Sequence, residues 1–219
     1  MEPEVDRVLL VNKPLEWTSF DVVNKLRYVL RMKKIGHAGT LDPLATGLLI
    51  ICTGKMTKRI EEFMGWEKEY TGTLIIGQTT PSHDLETEVS DPVDISAITP
   101  VRIHEVAAAL TGDLEQIPPA HSAIKIGGKR AYKFARTGKE VKLQPRKVSV
   151  PVFEITRVAL PEVDFRIVCS KGTYIRSLVR DFGQQLGVGA YLSALCRTRI
   201  GEYRLEDAQT IEQLAAASV

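Results

Sequence analysis

Residues 36–47, GHAGTLDPLATG, place three glycines, a histidine, an acid and a proline within twelve positions, and LLIIC (48–52) follows without a break. The apolar run reads as a buried strand. Gly36, Gly39 and Gly47 permit backbone angles that other residues resist. Pro43 removes an amide donor and drives Asp42 towards an extended conformation. The chain therefore carries a loop of specified shape ahead of a core strand. Its single carboxylate, Asp42, is the first candidate for chemistry. An Asp-Pro turn closed by its own backbone is the competing structural reading, and on this stretch alone the two stand about even.

At 219 residues the chain can bury one large core or two small ones. The longest apolar run, GLLIIC, is strand-sized, and no stretch approaches a membrane span. The opening MEPEVDRVLL lacks the basic and apolar regions of an export signal, so a cytoplasmic location is expected. Cys52, Cys169 and Cys196 are far apart and sit beside apolar runs, and neither they nor the four histidines show ligand spacing. Buried thiols and no metal site are the expectation. The net charge of +2 hides a segment, Lys125 to Lys147, with nine basic residues and one acid, which leaves about −6 for the rest. A second cluster, Lys25, Arg27, Arg31, Lys33 and Lys34, precedes the glycine loop. Both suit a polyanionic partner.

RVLLVN (7–12) reads as a first strand, and Thr18 with Asp21 as a capping box for a helix to about Met32. Residues 48–53, 67–77, 148–159 and 164–170 read as strands, and 56–64 as a short helix. Thr99-Pro100 opens a helix that Gly112 stops. Thr173 is expected to cap a helix ended by Gly187, and 208–216 to form a terminal helix. Tyr70 suits a sheet face. Arg176 opposes the dipole in a first helical turn, a sign that it serves an acid or a partner. No linker, repeat, regular βαβ alternation or phosphate loop appears. The reading is α+β, one domain over 1–219 with a basic insertion at about 118–148.

VNKP (11–14), GHAGTLDPLATGLL (36–49), KEYTGTL (68–74), PP-x-x-SAIK (118–125) with GGKRAY-x-x-ARTG, CSKGTYIRSL-x-RD-x-G (169–183) and LCRTRIG (195–201) together resemble the TruB family of tRNA pseudouridine synthases. The resemblance covers nearly the whole chain. It implies the pseudouridine synthase fold, a mixed and mainly antiparallel sheet flanked by helices, with a basic insertion that clasps RNA. It implies isomerisation of a T-loop uridine, at tRNA position 55, by base flipping, cleavage of the C–N bond and rejoining through carbon. No cofactor is implied, and no obligatory protein partner for a chain expected to be a monomer.

The resemblance also implies roles. Asp42 falls on the catalytic aspartate and Tyr70 on the tyrosine that stacks on the target uracil. Tyr174 and Leu195 fall on positions lining the uracil pocket. Arg176 falls on the arginine paired with the aspartate, His37 on a histidine near the flipped base, and Lys13 on a basic residue near the active site. Lys125, Lys129, Arg130, Lys133 and Arg136 of the insertion are the expected contacts to the RNA backbone. Asp42 attacks carbon or removes a ribose proton, and both routes stay open. The chain departs from the family at His121, where an aromatic is usual, and after Asp84, where a glycine is missing. No further C-terminal RNA-binding domain is evident. A non-catalytic tRNA-binding module or folding chaperone is the alternative, disfavoured because binding alone needs no pocket acid.

Overall fold

The structure, a computed structural model, describes residues 6–122, 124–126, 129–131, 134 and 143–217. By its internal contacts the chain forms two compact units, Met1–Thr71 with Ala194–Val219, and Gly72–Ser193.

The first unit is built on LLIIC. Strand β1 (Val8–Lys13) pairs antiparallel with β3 (Ala45–Thr53), from Val8 opposite Cys52 to Lys13 opposite Gly47. On the other edge of β3 lie β2 (Ile35–Ala38), antiparallel, and β11 (Ala190–Ile200), parallel with Leu195 opposite Ala45. Side chains alternate across a strand, so an unbroken apolar run demands cover on both faces. One face packs Leu49 and Ile51 against Val11, Ile35, helix α1 (Ser19–Val29) and Ile211 and Leu214 of the terminal helix (Ile211–Ala216). The other packs Leu48, Ile50 and Cys52 against Ala38, Ile200 and Phe63 of α2 (Ile60–Gly65). Phe63 meets Trp66 edge-on at 4.9 Å. Each such fully buried aliphatic chain contributes roughly 1.5–3 kcal/mol. Burial also pushes the Cys52 thiol up to about 11.

The capping box at Thr18 forms as expected, with the Thr18 hydroxyl accepting from Asp21 N at 3.0 Å. Helix α1 stops earlier than Met32 because Arg31 adopts a left-handed φ of 52° and Met32 N reaches back to Arg27 O. Residues 56–64 divide into a 3₁₀ turn (Gly54–Arg59) and α2. The glycine loop is shorter than its sequence suggests. Gly36 lies inside β2, so only residues 39–44 are irregular.

In the second unit, β9 (Val152–Ala159) pairs antiparallel with β10 (Glu162–Cys169), and β10 lies beside the end of β4 (Lys68–Ile76), whose Thr73 hydroxyl donates to Asp164. Phe153, Phe165 and Phe182 form its aromatic centre, with centroids 6.1 and 5.7 Å apart. Phe182 belongs to α4 (Ile175–Leu186), which also buries Leu178, Val179 and Leu186 and ends on left-handed Gly187. Its N-cap is Tyr174, not the expected Thr173, whose hydroxyl turns back to Ser170 O. Helix α3 (Pro100–Ala109) starts at the expected Thr99 cap. Strands β5 (Gly112–Gln116) and β8 (Arg146–Val150) form a separate ribbon, as do β6 (Lys125–Ile126) and β7 (Lys129–Arg130).

Strands β4 and β11 run through both units and neighbour each other within each. Ser193 Oγ donates to Thr73 O in the second unit, and Thr198 Oγ1 donates to Glu69 in the first. Parallel pairing of β3 with β11 among antiparallel partners makes the sheet mixed, and the class is α+β as expected.

Candidate active site

Asp42 opens a tight turn. Its carbonyl accepts from Ala45 N at 3.0 Å, with Pro43 fixing the first corner. Neighbouring groups hold the backbone on both sides. Ser19, the first residue of α1, donates its hydroxyl to Leu41 O at 3.2 Å and accepts from Leu41 N at 2.8 Å. Glu16 N donates to Pro43 O at 2.9 Å. Gly47, at φ 104°, brings β3 so close to β11 that a Cβ there would lie 2.4 Å from Arg197 O.

Two buried cations complete this framework. Lys13 is 0 % exposed, and its ammonium donates to Pro14 O (2.9 Å), Trp17 O (2.6 Å) and Pro43 O (3.2 Å). All three of its protons are thus used on backbone. Burial pulls its pKa down to about 8, against the opposing field of Asp42 and with the added push of Arg197. Arg197 is 1 % exposed; it donates Nε to Leu48 O at 2.8 Å and Nη2 to Gly39 O at 3.2 Å. Those carbonyls flank the Asp42 turn. Burial, then the Arg197 charge, hold the His37 imidazole below its ordinary pKa, so His37 on β2 is neutral at pH 7. Leu195 is buried on β11 beside Ala45, and Tyr70 is buried in β4. The first unit therefore holds five of the expected residues, Lys13, His37, Asp42, Tyr70 and Leu195.

Tyr174 and Arg176 belong to the second unit. Gln116 clasps the Tyr174 backbone, donating to its carbonyl at 3.1 Å and accepting from its amide at 2.8 Å. Arg146, opposite Gln116 in the ribbon, lays its guanidinium 4.6 Å from the centre of the Tyr174 ring and donates to Gly172 O. Arg176 is 4 % exposed; its Nε lies 3.5 Å from Asp84, and it donates to Ser82 O and His121 O. The acid inferred from its helix position includes Asp84. The neighbouring His83 lines a cavity of about 620 Å³ with Thr80, Arg180 and Gln184. Burial, then Arg180 and Arg176, bring its pKa to about 4. Lys125, Lys129 and Arg130 lie on β6 and β7, whereas Lys133 and Arg136 lie outside the described residues.

Residues 27–175 match the TruB family pseudouridylate synthase N-terminal domain, and residues 176–219 match the tRNA pseudouridylate synthase B C-terminal domain. The chain belongs to the TruB family. The tRNA pseudouridine synthase B of Flavobacterium johnsoniae is 55 % identical over 209 residues, covering 92 % of this chain and 91 % of that protein. That of Opitutus terrae is 48 % identical over 213 residues, covering 97 % and 88 %. A chain in the crystal structure of a Cbf5-Nop10-Gar1 complex superposes with a TM-score of 0.74 at 29 % identity, over 95 % of this chain and 53 % of that one. This chain thus spans about half the length of that structural relative.

The structure brings out two residues that sequence reasoning passed over. Arg197, within LCRTRIG, reads as a polar end to an apolar strand, and nothing in the order of residues tells that it is buried. Gln116 sits in a strand of alternating exposed residues, and only the close of that strand against Tyr174 reveals its use. Among the described residues no group of three His, Cys, Asp or Glu side chains is placed to hold a metal, and no helix is long and apolar enough to cross a membrane.

Proposed function

We propose that the chain converts the uridine at position 55 of the tRNA T-loop to pseudouridine, with Asp42 as the essential group. The observation that carries this reading is the Asp42 turn, whose backbone is tied down at Gly39, Leu41, Pro43 and Leu48 by two buried cations and a serine. A turn fixed at four points holds a carboxylate where a reacting atom can meet it. The names of the relatives supply tRNA as the substrate.

The uridine leaves its stack before the reaction. The bond from C1′ to N1 breaks, C1′ bonds to C5, the C5 hydrogen passes to solvent and N1 takes up a proton. Asp42 serves as nucleophile on carbon or as base on the ribose, and both need its ionised form. By the family resemblance, Tyr70 stacks on the base, Tyr174 and Leu195 contact the uracil, Arg176 partners Asp42, and His37 and Lys13 support the site. Lys125, Lys129, Arg130, Lys133 and Arg136 bind the RNA backbone. The enzyme acts as a cytoplasmic monomer with no cofactor, metal or obligatory protein partner.

Mapping pseudouridine in an unmodified tRNA transcript after incubation with the purified chain tests this. Modification at position 55 is the expected result. A transcript that is bound but left unmodified would move the assignment to a tRNA-binding module.

A further inference from the structure

Helix α1 buries Val22, Val23 and Leu26 and turns a different face outward. Tyr28 on that face is 83 % exposed, and Phe20 is 59 % exposed. Phe20, Asn24, Arg27 and Tyr28 recur at spacings of three and four and share one broad side of the helix, and Arg31 follows in the left-handed turn just past its end. Lys25 flanks Tyr28 from the other direction. Between residues 25 and 34 stand five cations and no acid. Arg27 donates to the Asn24 side-chain oxygen at 2.7 Å, which leaves the Asn24 amide protons to be offered outward.

The helix is tied to the Asp42 turn at its start and leads into β2 at its end. Ser19, where the helix begins, is bonded twice to Leu41. Beyond its end the chain passes through Arg31, Lys33 and Lys34 directly into β2, which carries His37. A single exposed aromatic is ordinary. An exposed aromatic among cations, on a helix anchored to a candidate catalytic turn, has the composition of a stacking platform for a polyanion. The rings are separated by Asn24 and Arg27 and make no continuous apolar patch, which disfavours a protein partner.

We propose, resting on the tRNA reading above, that this face of α1 is a second RNA contact, in which an unpaired nucleotide stacks on Tyr28 while Lys25, Arg27 and Arg31 meet the flanking phosphates. The contact extends the RNA footprint along the helix.

The test uses the full chain with an unmodified tRNA transcript. Filter binding over a range of salt concentrations is combined with steady-state pseudouridine formation for Tyr28→Ala, Tyr28→Phe and the double variant Arg27→Gln/Arg31→Gln. Tyr28→Ala is expected to raise Kd and KM roughly fivefold or more without a matching fall in kcat, and Tyr28→Phe to stay near wild type. The double variant is expected to reduce the slope of log affinity against log salt by about 1.4–1.8. Kd and salt slope equal to wild type in all three variants would overturn the proposal, as would a change in self-association from Tyr28→Ala with tRNA binding intact. A wild-type chain that makes no pseudouridine, while its tRNA affinity still responds to these substitutions, would sustain the RNA contact and reject the catalytic reading.

Discussion

Both units bury cations, and they satisfy them differently. In the first, Lys13 and Arg197 donate only to main-chain carbonyls, and among the described residues no carboxylate lies within 4 Å of either. In the second, Arg176 has the Asp84 carboxylate beside it as well as two carbonyls. A cation held by carbonyls fixes backbone shape and keeps its positive field, which here acts on the neighbourhood of Asp42. A cation with a carboxylate beside it also ties two segments together, here α4 and the loop at 82–86. The first arrangement fixes the turn that carries Asp42, and the second fixes the start of α4 to the loop at 82–86.

Breaking the pair should have the largest effect on stability. Asp84→Ala leaves Arg176 buried beside a lost carboxylate and should cost about 3–5 kcal/mol in urea unfolding. The double variant Asp84→Leu/Arg176→Met should recover most of that loss, since an apolar pair requires no compensation. Failure of the double variant to recover would show that Asp84 acts through its bonds to the loop and not through the ion pair.

Arg197→Met removes a charge that has no carboxylate to orphan, and it leaves two carbonyls unpaired. It should cost less, about 2–4 kcal/mol. Its loss of turnover should exceed what the drop in folded population explains, because the Asp42 turn loses its ties at Gly39 and Leu48. Turnover that merely follows the folded fraction would erase the contrast between the two regions.

A smaller effect lies beside the pair, at His83. Its folded pKa of about 4 is below the ordinary 6.5, so between those values the unfolded chain binds a proton that the folded chain refuses. Stability from this group is complete above pH 6.5 and falls as pH drops towards 4, by up to roughly 3 kcal/mol. His83→Asn, which tolerates the φ of 64° there, should flatten that part of the stability curve. An unchanged acid slope would place the sensitivity on another group.

Much of this was legible in the residues. LLIIC read as a buried strand and Thr18 with Asp21 as a helix start, and both formed because each is a local rule that tertiary packing did not override; the turn at Asp42-Pro43, one of two readings of that stretch, formed as well. Other features needed distant contacts. Gly36 looked like loop and is strand, because β2 gains its partner from Ile50 to Thr53 of β3. Arg197 looked like a polar strand end and is buried by the carbonyls it bonds. Thr173 looked like a helix cap, but its hydroxyl serves Ser170 and the clasp of Gln116 begins the helix one residue later. The division into two units passes inside β4 and β11, where no change of composition marks it.

The central claim, that Asp42 carries the reaction, is tested most directly by tritium release from tRNA labelled at uracil C5, with wild type and Asp42→Asn side by side and tRNA binding measured for both. The account predicts release by wild type, none by Asp42→Asn, and binding retained by the variant. Release by Asp42→Asn at the wild-type rate would contradict it.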